Sequence, residues 1–184
     1  MNPPADLLEI VKSIRRRHTT LLIGIDGVVG AGKTTLSEFL KENLANGSIV
    51  QLDNFYSPEL NRADRNRVLE QVFLPLENNT DAKYQIFDWR SNTLTDWHTI
   101  KPGGIVIIEG VSALHSDFVE QYDFRIWINC SPEAGFKRGI ERDKVRDGVD
   151  NTDKWLNIWM PQEKEYVESQ KPQLRADYIL NEAA

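Results

Sequence analysis

Three glycines, a lysine and two hydroxyls lie together in Gly27-Val28-Val29-Gly30-Ala31-Gly32-Lys33-Thr34-Thr35. Glycine reaches backbone conformations that turn successive N–H groups toward one point, which makes a concave anion site. A helix starting there adds its own free N–H groups and the positive end of its dipole. The spacing matches G-x-x-x-x-G-K-[ST] at every fixed position. The flanks fit as well, because the apolar Leu21-Leu22-Ile23-Gly24-Ile25 precedes the loop and the helical pattern Thr35-Leu36-Ser37-Glu38-Phe39-Leu40 follows it. The chemistry implied is the binding of a nucleoside triphosphate. Gly27, Val28, Val29, Gly30, Ala31, Gly32, Lys33, Thr34 and Thr35 would cradle the phosphates. Lys33 would reach the β- and γ-phosphates, and the Thr34 hydroxyl would ligate Mg²⁺.

Other groups limit what such a loop could serve. A GTPase needs a D-x-x-G switch and an N-K-x-D base-reading motif, and the chain contains neither. It also lacks the signature loop of an ABC-type ATPase. Asp53 follows the apolar Ser48-Ile49-Val50-Gln51-Leu52. A carboxylate there shares a sheet edge with the phosphate loop, where it could take the proton of an attacking hydroxyl or hold a water on Mg²⁺. Ile105-Val106-Ile107-Ile108-Glu109-Gly110 is a second apolar run ending in an acid, so Glu109 is a further candidate Mg²⁺ ligand. Arg138, Arg142 and Arg146 recur every four residues and share one helix face. Such a face suits a lid that brings cations onto a transferring phosphoryl group. Lys33, Asp53, Arg138 and Arg142 are the candidate catalytic residues of an ATP-dependent phosphotransferase. A non-catalytic ATP-binding sensor is the alternative.

Strand-length apolar runs alternate with stretches of helical period, the pattern of an α/β fold with a parallel sheet. Strands are predicted at Thr20–Ile25, Ser48–Leu52, Gly104–Ile108, Phe124–Asn129 and Tyr178–Leu180. Helices are predicted over Ala5–Arg17, Lys33–Ala45, Asp64–Val72, Ala113–Gln121, Pro132–Arg146 and Asp153–Ser169, with Pro161 either kinking the last or starting a second one. The stretch from Ser57 to Ile100 shows the least regularity. Because it leaves the carboxyl edge of the sheet, where ligands of open α/β sheets sit, Tyr56 just before it and its Tyr84, Asp88, Trp89, Arg90 and Asn92 are candidate acceptor contacts. Trp155 and Trp159, four apart, read as core packing.

The 184 residues suit a single domain. A net charge of -6 argues against nucleic acid, whose phosphates need clustered cations. The basic run Arg15-Arg16-Arg17-His18 reads as a solvated helix C-terminus. A single cysteine, Cys130, permits no intrachain disulfide and reads as a buried structural thiol. No stretch reaches the roughly 20 apolar residues of a membrane span, and no apolar leader opens the sequence. A cytoplasmic protein with a small-molecule substrate is the expectation; composition leaves its oligomeric state open.

From about Leu22 to Leu180 the chain resembles the uridine kinase and phosphoribulokinase branch of P-loop kinases. The resemblance rests on Gly27–Thr34, on Asp53-Asn54-Phe55-Tyr56 (similar to D-x-F-Y) and on Phe87-Asp88-Trp89 (similar to Y-D-[FW]). Glu109-Gly110-Val111, Arg138-Gly139-Ile140-Glu141-Arg142-Asp143, Glu165-Tyr166 and Ala176-Asp177-Tyr178-Ile179 resemble further family segments. It implies a five-stranded parallel sheet flanked by helices, with a mobile lid. The implied activity is ATP-dependent phosphorylation of a nucleoside or similar alcohol such as pantothenate, with Asp53 as base. Asn92 stands where uridine kinases carry a base-reading His, and Gly139 replaces the second lid arginine.

Overall fold

The computed structural model describes residues 5–56, 61–148 and 150–181. Five strands form one parallel sheet in the order β2-β5-β1-β6-β7: β1 is Leu21–Gly27, β2 Gly47–Gln51, β5 Ile105–Glu109, β6 Phe124–Asn129 and β7 Tyr178–Asn181. The central strands β1 and β5 are buried throughout, which is why they read as unbroken Val/Ile/Leu runs. One apolar core packs α1 (Ala5–Ser13) and α2 (Lys33–Asn43) against the sheet. The other packs the segment after β2, around Phe55, Val72, Phe73 and Phe118.

That segment differs from expectation. The residues after Asp81 form a two-stranded antiparallel hairpin, β3 (Ala82–Asp88) and β4 (Thr93–Ile100). Nearly all of β4 is exposed, so it carries no apolar alternation for a reader to detect. Before the hairpin, α3 (Arg62–Val68) runs through a π turn, Leu69–Phe73, into α4 (Leu74–Glu77). The C-terminal helix repeats the device: α6 (Thr152–Lys154), a π turn Trp155–Trp159, then α7 (Met160–Gln170). Pro75 and Pro161 sit at the second positions of α4 and α7. A proline lacks the N–H that an α-turn would use, and a widened turn absorbs the loss without ending the helix.

Two predicted helices are corrected. The first ends at Ser13, not Arg17. Arg17 instead donates to the Asp123 carboxylate and to the carbonyls of Glu120 and Tyr122, so the basic run ties the chain to the loop before β6. Residues 113–121 form turns, with a 3-10 turn only at Val119–Gln121. Side chains there claim the N–H groups that a helix would need. Ser116 N donates to Gln170 and Asp117 N to His115, while Leu114 N, which the first turn of a helix would leave free, donates to Asp26. Cys130 is also half-buried rather than fully buried.

The long helix α5 (Pro132–Asp147) is capped by Ser131 and joins α6 through a buried carboxylate. Asp143 is 4% exposed and accepts from Trp155 Nε1 at 2.8 Å, from Asn151, and from the neighbouring Arg142 guanidinium. Trp155 is itself buried and meets Trp159 edge-on at 4.6 Å. Helix α7 docks on β1 through Tyr166, whose hydroxyl donates to Asp26 at 2.5 Å. Asp26 is fully buried at the end of β1, and burial pushes its carboxyl above the usual range. Tyr166→Phe keeps the ring against His115 but strips one donor from that carboxylate. The loss should cost roughly 1–3 kcal/mol. At about 2–4 °C per kcal/mol for a chain of this size, a thermal melt will show it.

Candidate active site

The register of the sheet sets the geometry of the site. Glu109 pairs with Ile25 on β1 and with Gln51 on β2, so the three strands end together. The phosphate loop therefore opens beside Glu109, and Asp53 follows two residues after Gln51 in a 3-10 turn, Leu52–Asn54. Glu109 is buried and accepts from Thr34 Oγ1 at 3.0 Å and from Gln51 Nε2 at 3.2 Å. Burial raises its carboxyl; the Lys33 ammonium opposes the rise and the Asp53 carboxylate adds to it. A hydroxyl and two carboxylates at one strand edge form the hard-oxygen donor set that Mg²⁺ takes. Thr34, Asp53 and Glu109 are the residues that could hold that ion. Among the described residues, no group of three or more His, Cys, Asp or Glu forms a metal cluster.

Lys33 is buried at the start of α2 and folds back over the loop. Its Nζ donates to Gly27 O at 2.8 Å and to Val28 O at 3.0 Å. The outside of the loop has no spare room. Gly30 has φ +64°, and a Cβ on it would lie 2.3 Å from Gly135 O of α5. A Cβ on Gly135 would in turn meet Val29 O at 2.2 Å. Gly139, one turn on, faces the Val29 side chain and the Trp155 ring, so a glycine stands where the resemblance implies arginine because α5 lies against the loop. From the other side, Val29 N donates to Glu163 Oε2 of α7 at 2.6 Å. The lid helix is thus braced on the phosphate loop along its first two turns.

The lid arginines take different partners. Arg138 donates to Cys130 Sγ at 2.8 Å, and Arg142 lies half exposed against Asp143. The side chain of Arg146 lies outside the described part. The candidate acceptor contacts separate into two groups. Tyr56 and Tyr84 are buried, with Tyr84 packed between Phe55 and His98. Burial pushes both phenols up, and among the described residues the Tyr56 hydroxyl has no hydrogen-bond partner. Asp88, Arg90 and Asn92 form the hairpin turn. Asp88 accepts from Arg90 N and Ser91 Oγ, which holds its carboxyl below the usual range. Asn92 adopts φ 56° and donates its N–H to Asp88 O. Trp89 is the member that reaches the catalytic edge, where its Nε1 donates to Asp53 O at 3.0 Å.

Three residues of the site escaped the sequence reading: Asp26, Gly135 and Glu163. Asp26 closes the apolar run Leu21–Ile25, and Glu163 also had a signal. It lies three residues before Tyr166 and so shares a face of α7 with it, whereas the neighbouring Glu165 is exposed.

A family model described as an AAA domain matches residues 23–170. The chain belongs to this P-loop family. It is similar to the uridine kinase of Halobacterium salinarum, 26% identical over 182 residues that cover 88% of this chain and 80% of that protein. The uridine kinase of Staphylococcus aureus (strain JH9) is also 26% identical, over 89% of this chain and 88% of that one. A possible uridine kinase from Bacillus stearothermophilus shares the fold with a TM-score of 0.68 at 20% identity, covering 95% of both chains. A putative fructose transport system kinase from Silicibacter superposes equally well, TM-score 0.68 at 20% identity over 95% of this chain and 97% of that one. The chain is accordingly a P-loop small-molecule kinase homologue, and its family implies the use of ATP. Among the described residues, no helix is long and apolar enough to cross a membrane.

The brace yields a measurable consequence. Gly135→Ala must push either α5 or the Val29 carbonyl aside. Mg-ATP affinity should fall at least tenfold by calorimetry, about 1.4 kcal/mol.

Proposed function

We propose that this chain transfers the γ-phosphoryl group of ATP to a hydroxyl of a small metabolite, with a pyrimidine nucleoside as the first candidate acceptor. The observation that carries the reading is the convergence of Lys33, Thr34, Glu109 and Asp53 at one strand edge, with Trp89 of the hairpin seated on the Asp53 backbone. Binding alone asks for the loop. It does not ask for a further carboxylate under a covering hairpin. In this reading Asp53 accepts the proton of the acceptor hydroxyl as its oxygen bonds to the γ-phosphorus and the bond to ADP breaks. Lys33 and the loop N–H groups would hold the phosphates, and Thr34 and Glu109 would hold Mg²⁺, which when bound would supply positive charge against the transferring group. The relatives named uridine kinase support the nucleoside.

A second acceptor class has its own support. The carboxylate of Asp88, one of the hairpin groups that would contact a nucleoside, is spent on the turn itself, whereas Asn92 commits its backbone N–H. That favours a non-nucleoside alcohol such as pantothenate, for which Trp89 and the Asp53 edge remain available.

Two measurements test the reading. Lys33→Met should weaken Mg-ATP in calorimetry by roughly 1.5–3 kcal/mol for each charged hydrogen bond lost. Asp53→Asn should lower turnover about 10²–10⁴-fold with nucleotide affinity nearly intact. ADP release should be scored over uridine, cytidine, pantothenate, glycerate and sugars. Signal with uridine or cytidine supports the nucleoside, and signal with another alcohol alone moves the assignment to that alcohol. Silence with every acceptor, together with a silent Asp53→Asn, makes the chain an ATP-binding sensor.

A further inference from the structure

Val28 O and Val29 N belong to the same peptide unit, and each of its polar atoms is held by a charged side chain. Lys33 Nζ donates to the carbonyl at 3.0 Å, and the N–H donates to Glu163 Oε2 at 2.6 Å. Carboxylate, peptide and ammonium therefore form one line. Charged partners at both ends polarise the bonds between them, and a poorly hydrated site strengthens the effect. Glu163 is partly buried, and burial raises its carboxyl while the Val29 N–H and the Lys33 charge oppose the rise. Its position is over-determined. Tyr166, one turn later on α7, is bonded to the buried Asp26, and Gln170 beyond it accepts from Ser116 N. A helix pinned at three points cannot let Glu163 drift from the loop.

We propose that Glu163 is a positioning residue for nucleotide binding, and that it acts on Lys33 through the Val28–Val29 peptide. By fixing the orientation of that peptide it fixes the carbonyl on which Lys33 rests. The ammonium thus stands ready at the β- and γ-phosphate end of the loop without a search over side-chain rotamers. The inference rests on the nucleotide reading of the loop and adds to it a residue that lies 134 positions away from its partner.

A double-mutant cycle in Mg-ATP calorimetry, with a nucleotide-free melt of each protein alongside, tests it. Glu163→Ala should weaken Mg-ATP by roughly two- to a hundredfold, the span of coupling between residues of one network. In a Lys33→Met background the same change should alter affinity less than about twofold, because the group it acts through is gone. Glu163→Gln should retain most of the affinity, since its amide oxygen can still accept from Val29 N. Glu163→Asp keeps the charge but is one methylene short, and should behave like Glu163→Ala. If Glu163→Ala fails to fold, the Gln and Asp variants carry the comparison. Equal losses with and without Lys33, or a lowered melting temperature with unchanged affinity, would reduce Glu163 to a structural contact. So would a reversed order of Gln and Asp. If Lys33→Met binds Mg-ATP as tightly as the unaltered chain, the nucleotide reading falls and takes this inference with it. That outcome is visible in the Lys33→Met arm alone.

Discussion

The closest constraint in the molecule surrounds two residues of the phosphate loop. Val29 and Gly30 lie so near Gly135 that neither glycine has space for a methyl group, and Val29 N is at the same time bonded to Glu163. A packed interior transmits displacement because it has few voids to absorb it. The loop, α5 and α7 therefore behave as one body. The resemblance implies a mobile lid; close backbone contact braces the first half of α5 on the loop, and Asp143 with Trp155 ties the second half to the next helix. Any lid motion must then carry α6 and α7 along, or be confined to side chains such as Arg142, which lies half exposed.

The catalytic edge rests on strand register in a similar way. Parallel strands ending level bring Ile25, Gln51 and Glu109 side by side. The residues just beyond them, Asp26, Asp53 and the loop glycines, then lie at one edge of the sheet. Buried Asp26 takes three donors, from Gly27 N, Leu114 N and Tyr166. In doing so it gathers the loop, the turns after β5 and α7 around one carboxylate. The resulting cost of burying charge is offset by hydrogen bonds that also organise the site.

What could be read beforehand follows from distance along the chain. The phosphate loop is contiguous, so nine successive residues declared it, and the acids Asp53 and Glu109 were legible because each closes an apolar run. Asp26 also closes such a run, but it stands directly before the loop and was absorbed into the boundary between strand and loop. Gly135 lies in a helix rich in charge, where nothing marks a close approach to a segment about a hundred residues earlier. The hairpin was missed because β4 faces outward at nearly every position and so lacks the period-two pattern that betrays a half-buried strand. The false helix at residues 113–121 failed for the opposite reason. Its local pattern was adequate, but side chains bid for its N–H groups, Gln170 for that of Ser116 and His115 for that of Asp117.

The widened turn at Trp155–Trp159 has a geometric consequence for the C-terminal helix. A π turn carries one residue more than the α-helical count, so everything downstream is rotated by about 100° relative to an uninterrupted helix. That rotation lets a single helix serve two neighbours at different angles. Trp155 looks toward Asp143 of α5, while Glu163 and Tyr166 look toward the loop and β1. The surplus residue thus works as a phase shifter. Were the turn to tighten to α-helical winding with every residue kept, Glu163 and Tyr166 would swing by about 100° away from the loop and β1, whereas removing the surplus residue as well would leave both halves facing their partners.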